Sequence, residues 1–429
     1  MPHRRKSFLL IVLFLCIVCA QAYAEETLTW QDCIKEAQKN HPDLISAKEN
    51  IQESEATKSI TASGLFPQLD SSASVSTAKT TATTSGARST KSANTYSYGV
   101  SGTQLLFDGS KTRDNVRAAS ENVKAAQYTY QFTSSEVRLR LRSAFIGVLK
   151  AQGLLAITEE IRTIRKDNLD LIALRYESGM EHKGAFLTAQ ANLHQAEFEI
   201  TQAERSLELA QRQLIKEMGR TSFSPMRVQG DFAITESLLK KPDFEALAAA
   251  NPSVQKLIAQ KNAAYFDVKA AQADFLPTVS AQAGASRTNT FWPPRDNQLS
   301  AGLTVSFPLF EGGSRFVETK KAKAVLKQAA ADERSTRDAA VVALVEAWMA
   351  LKNAVESVQV DNEFLDAAIE RARIAEAQYS LGLIQFDNWT IIEDDLVKTK
   401  KTLLDAQANA LLAQAEWVQA KGETLEHAE

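Results

Sequence analysis

Residues 278–286 read Thr278-Val279-Ser280-Ala281-Gln282-Ala283-Gly284-Ala285-Ser286, and after a turn residues 299–307 read Leu299-Ser300-Ala301-Gly302-Leu303-Thr304-Val305-Ser306-Phe307. Both stretches alternate with a period of two, which predicts strands with one apolar and one polar face. The signature occurs once more upstream. Gln68, Asp70, Ser72, Ser74 and Ser76 interleave with Leu69, Ala73 and Val75, and Tyr96–Phe107 reads as the return strand. Ser, Thr and Gly on one side with an apolar band on the other is the pattern of a membrane barrel around water. Four strands are too few to close, and open edges cannot sit in lipid. The chain must therefore combine with copies of itself, and symmetric closure is the simplest route.

Working outward from these strands, the whole chain is written twice. His41-Pro42-Asp43-Leu44 is matched by Asn251-Pro252-Ser253-Val254, and Leu65-Phe66-Pro67 by Phe275-Leu276-Pro277. Leu106-Phe107-Asp108-Gly109 is matched by Leu309-Phe310-Glu311-Gly312, and Tyr176-Glu177-Ser178-Gly179 by Tyr379-Ser380-Leu381-Gly382. The intervals agree as well. Pro42 to Pro67 and Pro252 to Pro277 are both 25 positions, and Phe107 to Tyr176 and Phe310 to Tyr379 are both 69. Tyr176 to Gly219 and Tyr379 to Gly422 are both 43, and only Pro67–Phe107 against Pro277–Phe310 differs, 40 against 33. Several intervals in register mean duplication.

Each copy has the same grammar: a short helix, a second helix ended by Pro, a strand pair, then a very long helix and a returning one. Residues 111–176 and 314–379 contain no Pro and almost no Gly. At 1.5 Å per residue each helix would be about 100 Å long. Val137, Leu141, Ala144, Val148, Ala151 and Leu155 follow a heptad-like spacing, repeated 203 positions later by Ala340, Leu344, Ala347, Leu351, Ala354 and Val358. Small residues alternating with large ones let neighbouring helices approach closely.

The organisation that follows is a leader at 1–24, a first repeat at 25–230 and a second at 231–429. The strands are expected at about 67–79 and 95–107, then 277–289 and 298–308, with polar or Pro-broken hairpin loops at Lys79–Asn94 and Thr290–Asn297. Phe66, Phe107, Phe275 and Phe310 lie at one end of the strands, and Tyr96, Tyr98, Phe291 and Trp292 near the other, where aromatic girdles belong. The leader joins Arg4, Arg5 and Lys6 to an apolar run from Phe8 to Ala20, and Ala22-Tyr23-Ala24 fits a cleavage site. Neither Cys16 nor Cys19 has a lipoprotein context, so no lipid anchor is expected. Cleavage leaves Cys33 as the one cysteine, and hence no internal disulfide. Past the leader, no apolar run approaches the ~20 residues of a membrane helix.

With 49 basic and 52 acidic residues the net charge is -3, which argues against a nucleic-acid partner. There is no Gly-rich phosphate loop, nucleophile elbow or paired-Cys motif, and His182 and His194 are 12 apart with no acid or Cys at ligand spacing. No catalysis, cofactor or metal is expected. A periplasmic coiled-coil scaffold or adhesin stalk would account for the leader and helices, but leaves the strand pairs unexplained.

The ordered set of leader, doubled His/Asn-Pro, Leu/Phe-Pro, Phe-Asp/Glu-Gly and Tyr-x-x-Gly landmarks, and paired long helices resembles the TolC family of outer-membrane efflux proteins. The likeness extends over essentially the whole mature chain. It implies a mainly α fold with a membrane β-barrel part. Three copies would each give four strands to a twelve-stranded barrel, continued by a periplasmic α-helical barrel. It implies as partners a periplasmic adaptor (membrane-fusion) protein, an inner-membrane pump or ATP-driven exporter, and outer-membrane lipid. The function implied is passive exit of small molecules, or of proteins in type I secretion.

Candidate site residues follow from both lines. The water-facing side of the barrel is assigned to Gln68, Asp70, Ser72, Ser74, Ser76, Thr278, Ser280, Gln282, Ser300, Thr304 and Ser306. By resemblance, the turns after Tyr176 and Tyr379 form the periplasmic tip, and Arg175, Ser178, Gly179, Ser380, Leu381 and Gly382 are adaptor contacts. Some relatives narrow the pore with aspartates six and nine residues after the second Gly. Here those positions are Asn388 and Ile391, so Asp387, Asn388, Glu393, Asp394 and Asp395 become the aperture candidates. A threefold ring of one such carboxylate would favour cations. A solvated helix N-terminus, which favours acids anyway, is the commoner explanation of such acids. Both tip glycines also serve as helix C-caps.

Overall fold

A computed structural model describes residues 26–84, 87–233 and 240–427. The leader read at 1–24 lies outside them. In chain order the elements are β1 (Glu26–Leu28), α1 (Trp30–Asn40), α2 (Pro42–Ser63), β2 (Gln68–Thr84), β3 (Ala87–Phe107), α3 (Lys111–Glu177) and α4 (Lys183–Met218). There follow β4 (Met226–Val228), α5 (Phe244–Ala250), α6 (Pro252–Ala273), β5 (Thr278–Asn289), β6 (Asp296–Ser306), α7 (Ser314–Ser380), α8 (Phe386–Ala420) and a 3₁₀ turn at Leu425–His427. The chain divides into two compact units, one of Ala47–Tyr130 and Ala249–Ala339, the other of Met1–Ser46, Gln131–Ala248 and Ala340–Glu429.

The first unit holds a four-stranded antiparallel sheet in the order β2-β3-β5-β6. Among the described residues its outer strands β2 and β6 each have one partner. The β2–β3 hairpin runs on to Thr84 and from Ala87, through residues the alternation reads as loop. Thr77, Thr80, Thr81, Thr83 and Thr84 explain this, since β-branched side chains favour extended backbone. The bend from strand to long helix is left-handed in both copies. Gly109 has φ +69 and a Cβ there would lie 2.8–3.0 Å from Leu276 atoms and the Ala273 carbonyl. Its counterpart Gly312 has φ 62. The next position is Gly313 at φ 82 in the second copy but Ser110 at φ 73 in the first. Within this unit Lys111 pairs with Asp274 at 2.6 Å, and Phe275 meets Phe316 edge-on at 5.1 Å.

The second unit is built on the heptad stripes. Val137, Leu141, Ala144, Val148 and Ala151 of α3 are buried, as are Leu344 and Leu351 of α7. Leu344 and Leu351 pack with Ala248, Ala413 and Trp417. One window of α3 is long and apolar enough to cross a membrane, which corrects the expectation of no such run. In this fold Phe145, Ile146, Val148 and Leu149 of α3 are core residues, which accounts for its apolarity. β1 pairs in parallel with β4, and Gln152 clamps that pair by accepting from Val228 N at 2.9 Å and donating to Val228 O at 3.2 Å. Cys33 is fully buried and burial pushes its thiol up to about 12, so it packs as a small hydrophobe.

Candidate functional site

In an antiparallel pair, residues directly opposite share a face. The register therefore fixes which side chains of β2, β3, β5 and β6 lie together. One cross-strand row is Gln68–Thr103–Gln282–Gly302, the next Asp70–Ser101–Gly284–Ser300, then Ser72–Gly99–Ser286–Gln298 and Ser74–Ser97–Thr288–Asp296. Ser280 opposite Thr304 and Thr278 opposite Ser306 extend the same side, and Ser76 opposite Thr95 extends it at the far end. All eleven residues assigned to the water-facing side thus share one face. The register adds Thr95, Ser97, Ser101 and Thr103, which period-two reading of β3 alone left unassigned. Parity against β2 was the available signal. Ser74 and Ser97 hydroxyls meet at 2.8 Å across the pair. Gly99 is required here, because a Cβ would sit 2.6 Å from that of Ser286. The opposite face carries Leu69, Val75, Val100, Leu299, Leu303 and Val305, each more than half exposed. Gln104, on that face, satisfies its amide by donating to Leu65 O and Leu105 O.

The two helical turns are built alike. Met180 N donates to Arg175 O at 2.8 Å and Gly179 N to Tyr176 O, while Leu383 N donates to Gln378 O at 2.8 Å and Gly382 N to Tyr379 O. Gly179 (φ 73) and Gly382 (φ 74) take the left-handed conformation that this closure demands. Each turn is backed by a stacked aromatic pair at the same repeat offset: Tyr176 on Phe186 at 5.6 Å and Tyr379 on Trp389 at 4.4 Å, both at 14°. The second pair is the buried one, packed with Ile172, Ala185, Ala189, Ala375 and Phe386. Arg175 lies 4.8 Å over the Tyr379 ring, and the Tyr379 hydroxyl donates to Glu181 Oε2 at 2.9 Å. Burial, then that bond, pushes the phenol above its ordinary range. His182 caps α4, its Nδ1 accepting from Ala185 N at 3.0 Å.

Among the tip residues singled out as adaptor contacts, Ser178, Gly179, Ser380, Leu381 and Gly382 are exposed, whereas Arg175 is half-buried against Tyr379. The acids separate by environment. Asp387 lies exposed in the first turn of α8, whose N-cap Gln385 makes no side-chain capping bond, and Asn388 is exposed beside it. Asp394 is held by Arg165 and Asp395 by Arg371 at 2.9 Å. Glu393 is buried, and burial raises its carboxyl above the ordinary range despite the opposing charge of Arg165. It borders a partly open cavity of about 10 Å³ together with Arg165, Asn192, Trp389 and Thr390, room for about one water.

Residues 33–220 and 244–428 match the outer membrane efflux protein family. The outer membrane efflux protein BepC of Brucella suis is 25% identical over 419 residues, covering 95% of this chain and 87% of that one. The alkaline protease secretion protein AprF of Pseudomonas aeruginosa is 25% identical over 341 residues, 75% of this chain and 69% of that one. Among solved structures, that of CusC, described in terms of transmembrane channel formation, superposes with a TM-score of 0.82 at 18% identity over 92% of each chain. The chain belongs to the outer membrane efflux protein family and has the fold of its channels.

Proposed function

We propose that, as a member of that family, the chain is one third of an outer-membrane exit duct, through which substrates pass passively from the periplasm to the outside. Three copies close their four-stranded sheets into one barrel, with the Ser/Thr/Gly face turned to water and the Leu/Val face to lipid. The single observation that carries this is the sheet itself: two sharply different faces and two unpaired edges. Val342, Met349, Val360 and Phe364 of α7, each more than half exposed, supply further apolar surface for a neighbouring copy. The leader read at 1–24 carries the chain across the inner membrane and is removed.

In this reading an adaptor docks on the tips formed by Arg175, Ser178, Gly179, Ser380, Leu381 and Gly382, and an inner-membrane pump or ATP-driven exporter delivers the substrate. The relatives' names cover both efflux and alkaline protease secretion. The chain performs no chemistry, and the partners supply the energy. Asp387 is the acid best placed to face the aperture, since Glu393, Asp394 and Asp395 are committed within the protomer. Purified protein should run as three chains by light scattering in detergent and give discrete conductance steps in planar bilayers. A monodisperse monomer without conductance would overturn the proposal.

A further inference from the structure

The charges on the apolar face of the sheet are of one sign and at one end. Lys79 stands opposite Ser92, and Arg287 stands opposite Tyr98 and Asn297. No Asp or Glu shares that face among the four strands, and none occurs anywhere between Asp70 and Asp108. Arg287 is oriented by Asn297 Oδ1 at 2.7 Å and Tyr98 Oη at 3.5 Å. Among the described residues neither Lys79 nor Arg287 has a carboxylate partner. By contrast, cations on the helices are widely paired, as in Lys111–Asp274 and Lys401–Glu199.

The level of these cations relative to the apolar band can be read from the register. Val305, Leu303 and Leu299 mark the band, and Tyr96, Tyr98 and Trp292 close it, with the Trp292 ring 6.1 and 6.4 Å from the two tyrosines. Arg287 shares the Tyr98 row, at the depth where headgroups begin. Lys79 is four residues beyond Val75, which pairs with Tyr96. At ~3.4 Å per residue and a strand tilt of ~40° that places it roughly 10 Å above the aromatic row. The polar headgroup layer of an ordinary leaflet is only about 5–8 Å deep. A simple phospholipid therefore reaches Arg287 but not Lys79, whereas a headgroup of phosphorylated sugars spans both.

We propose that the outward end of this face, at Lys79 and Arg287, is a docking surface for the phosphate-bearing glycolipid headgroups of the outer leaflet, gripping each protomer in that leaflet at and above the aromatic belt. It rests on the barrel reading above and assigns that barrel a lipid partner. Cations near an anionic membrane surface contribute roughly fivefold each in affinity, so losing two should weaken retention by roughly 25-fold. The pull should also fade as salt shortens the Debye length to less than ~10 Å.

The test uses the full-length trimer in phosphatidylcholine vesicles, pure or mixed equally with diphosphoryl lipid A, and measures lipid A kept by the protein after detergent extraction. The Lys79→Gln/Arg287→Gln variant should lose lipid A. Lys91→Gln, in the same hairpin but on the polar face opposite Thr80, should keep it. Equal retention by wild type and double variant, equal loss in Lys91→Gln, or equal retention of dephosphorylated lipid A would each overturn the inference. Planar-bilayer conductance of the same preparations separates the levels. Normal channels with any of those results sink the lipid site alone, whereas a wild type that forms no channel sinks the barrel reading and the lipid site with it.

Discussion

The sharpest test of the assembly is a cysteine scan across the two open edges. β6 has 11 residues, and alternate residues turn both backbone groups outward, so about ten polar groups lie on its free edge. In lipid, each left without a partner costs at least ~2 kcal/mol. The total of more than ~20 kcal/mol exceeds the ~5–15 kcal/mol net stability of a folded domain. An isolated protomer is therefore not viable in a bilayer, and β6 of one copy must pair with β2 of the next. Ser72→Cys on β2 should then form an intermolecular disulfide with a cysteine at one even position of β6, among Gln298, Ser300, Gly302 and Thr304. Positions Leu299, Ala301 and Leu303 should stay unlinked, because a one-residue slip turns the side chain to the other face. Neighbouring strands are ~4.8 Å apart and same-face positions along a strand ~7 Å apart. A disulfide bridges Cα atoms up to about 6.8 Å apart, so one partner should dominate. Native Cys33 is fully buried and will not compete. Oxidation in cell envelopes followed by non-reducing electrophoresis should give dimers and trimers. Links only at odd positions, or no intermolecular link at any, would refute the closure.

Ser110 stands at φ 73 where the second copy has Gly313, so Ser110→Gly should stabilise the protein by roughly 1 kcal/mol, read as a higher thermal midpoint; a lower midpoint would show that the seryl side chain is needed there. Glu393 is raised by burial, so the native state holds its proton more tightly than the unfolded one. Its stabilising effect is complete below the ordinary carboxylate value of ~4.3 and is lost as pH rises through the raised native value. Glu393→Gln should remove that decline in urea unfolding between pH 4 and 8, and parallel pH profiles would exclude the effect. Asp387→Asn should weaken divalent-cation block of single channels, whereas Asp394→Asn, which loses only its link to Arg165, should leave block unchanged. Equal block in wild type and Asp387→Asn would remove Asp387 from the aperture.

The repeats, long helices and strand faces were legible because each rests on a period or a fixed interval. Leu344 and Leu351 are fully buried, as a seven-residue stripe requires. The hairpin extension to Thr84 was missed because Lys79 and the Ser/Thr run erase the apolar half of the alternation, while threonine still favours extended backbone. The fates of the tip acids were not legible at all. Spacing places Asp387, Glu393 and Asp394 alike after a turn. Only packing reveals that Arg165 reaches Asp394 from 229 positions away and that Glu393 is buried. His41 was equally opaque. It occupies the place of Asn251 and takes its role, Nδ1 accepting from Asp43 N at 3.2 Å as the Asn251 side chain accepts from Ser253 N at 2.9 Å. Its other nitrogen faces Glu217 at 3.4 Å.

Duplication explains why the two turns are alike in backbone and unlike in chemistry. Gly179 and Gly382, or Gly219 and Gly422, hold the same left-handed conformation 203 positions apart, because both copies must end and reverse a helix in the same way. Nothing forces the side chains beyond the last turn to agree. Tyr176, in the first copy, stacks on Phe186 and is 37% exposed. Tyr379, in the second, is 1% exposed and is covered by Arg175 and bonded to Glu181, both supplied by the first copy. One copy thus provides the charged cover and the other the aromatic base. A ring of three such chains presents alternating, non-equivalent turns where three undifferentiated duplicates would present six equal ones. The same tyrosine therefore serves two ends: in one turn it is a fixed post inside the protomer, and in the other a half-exposed ring left for whatever meets the tip.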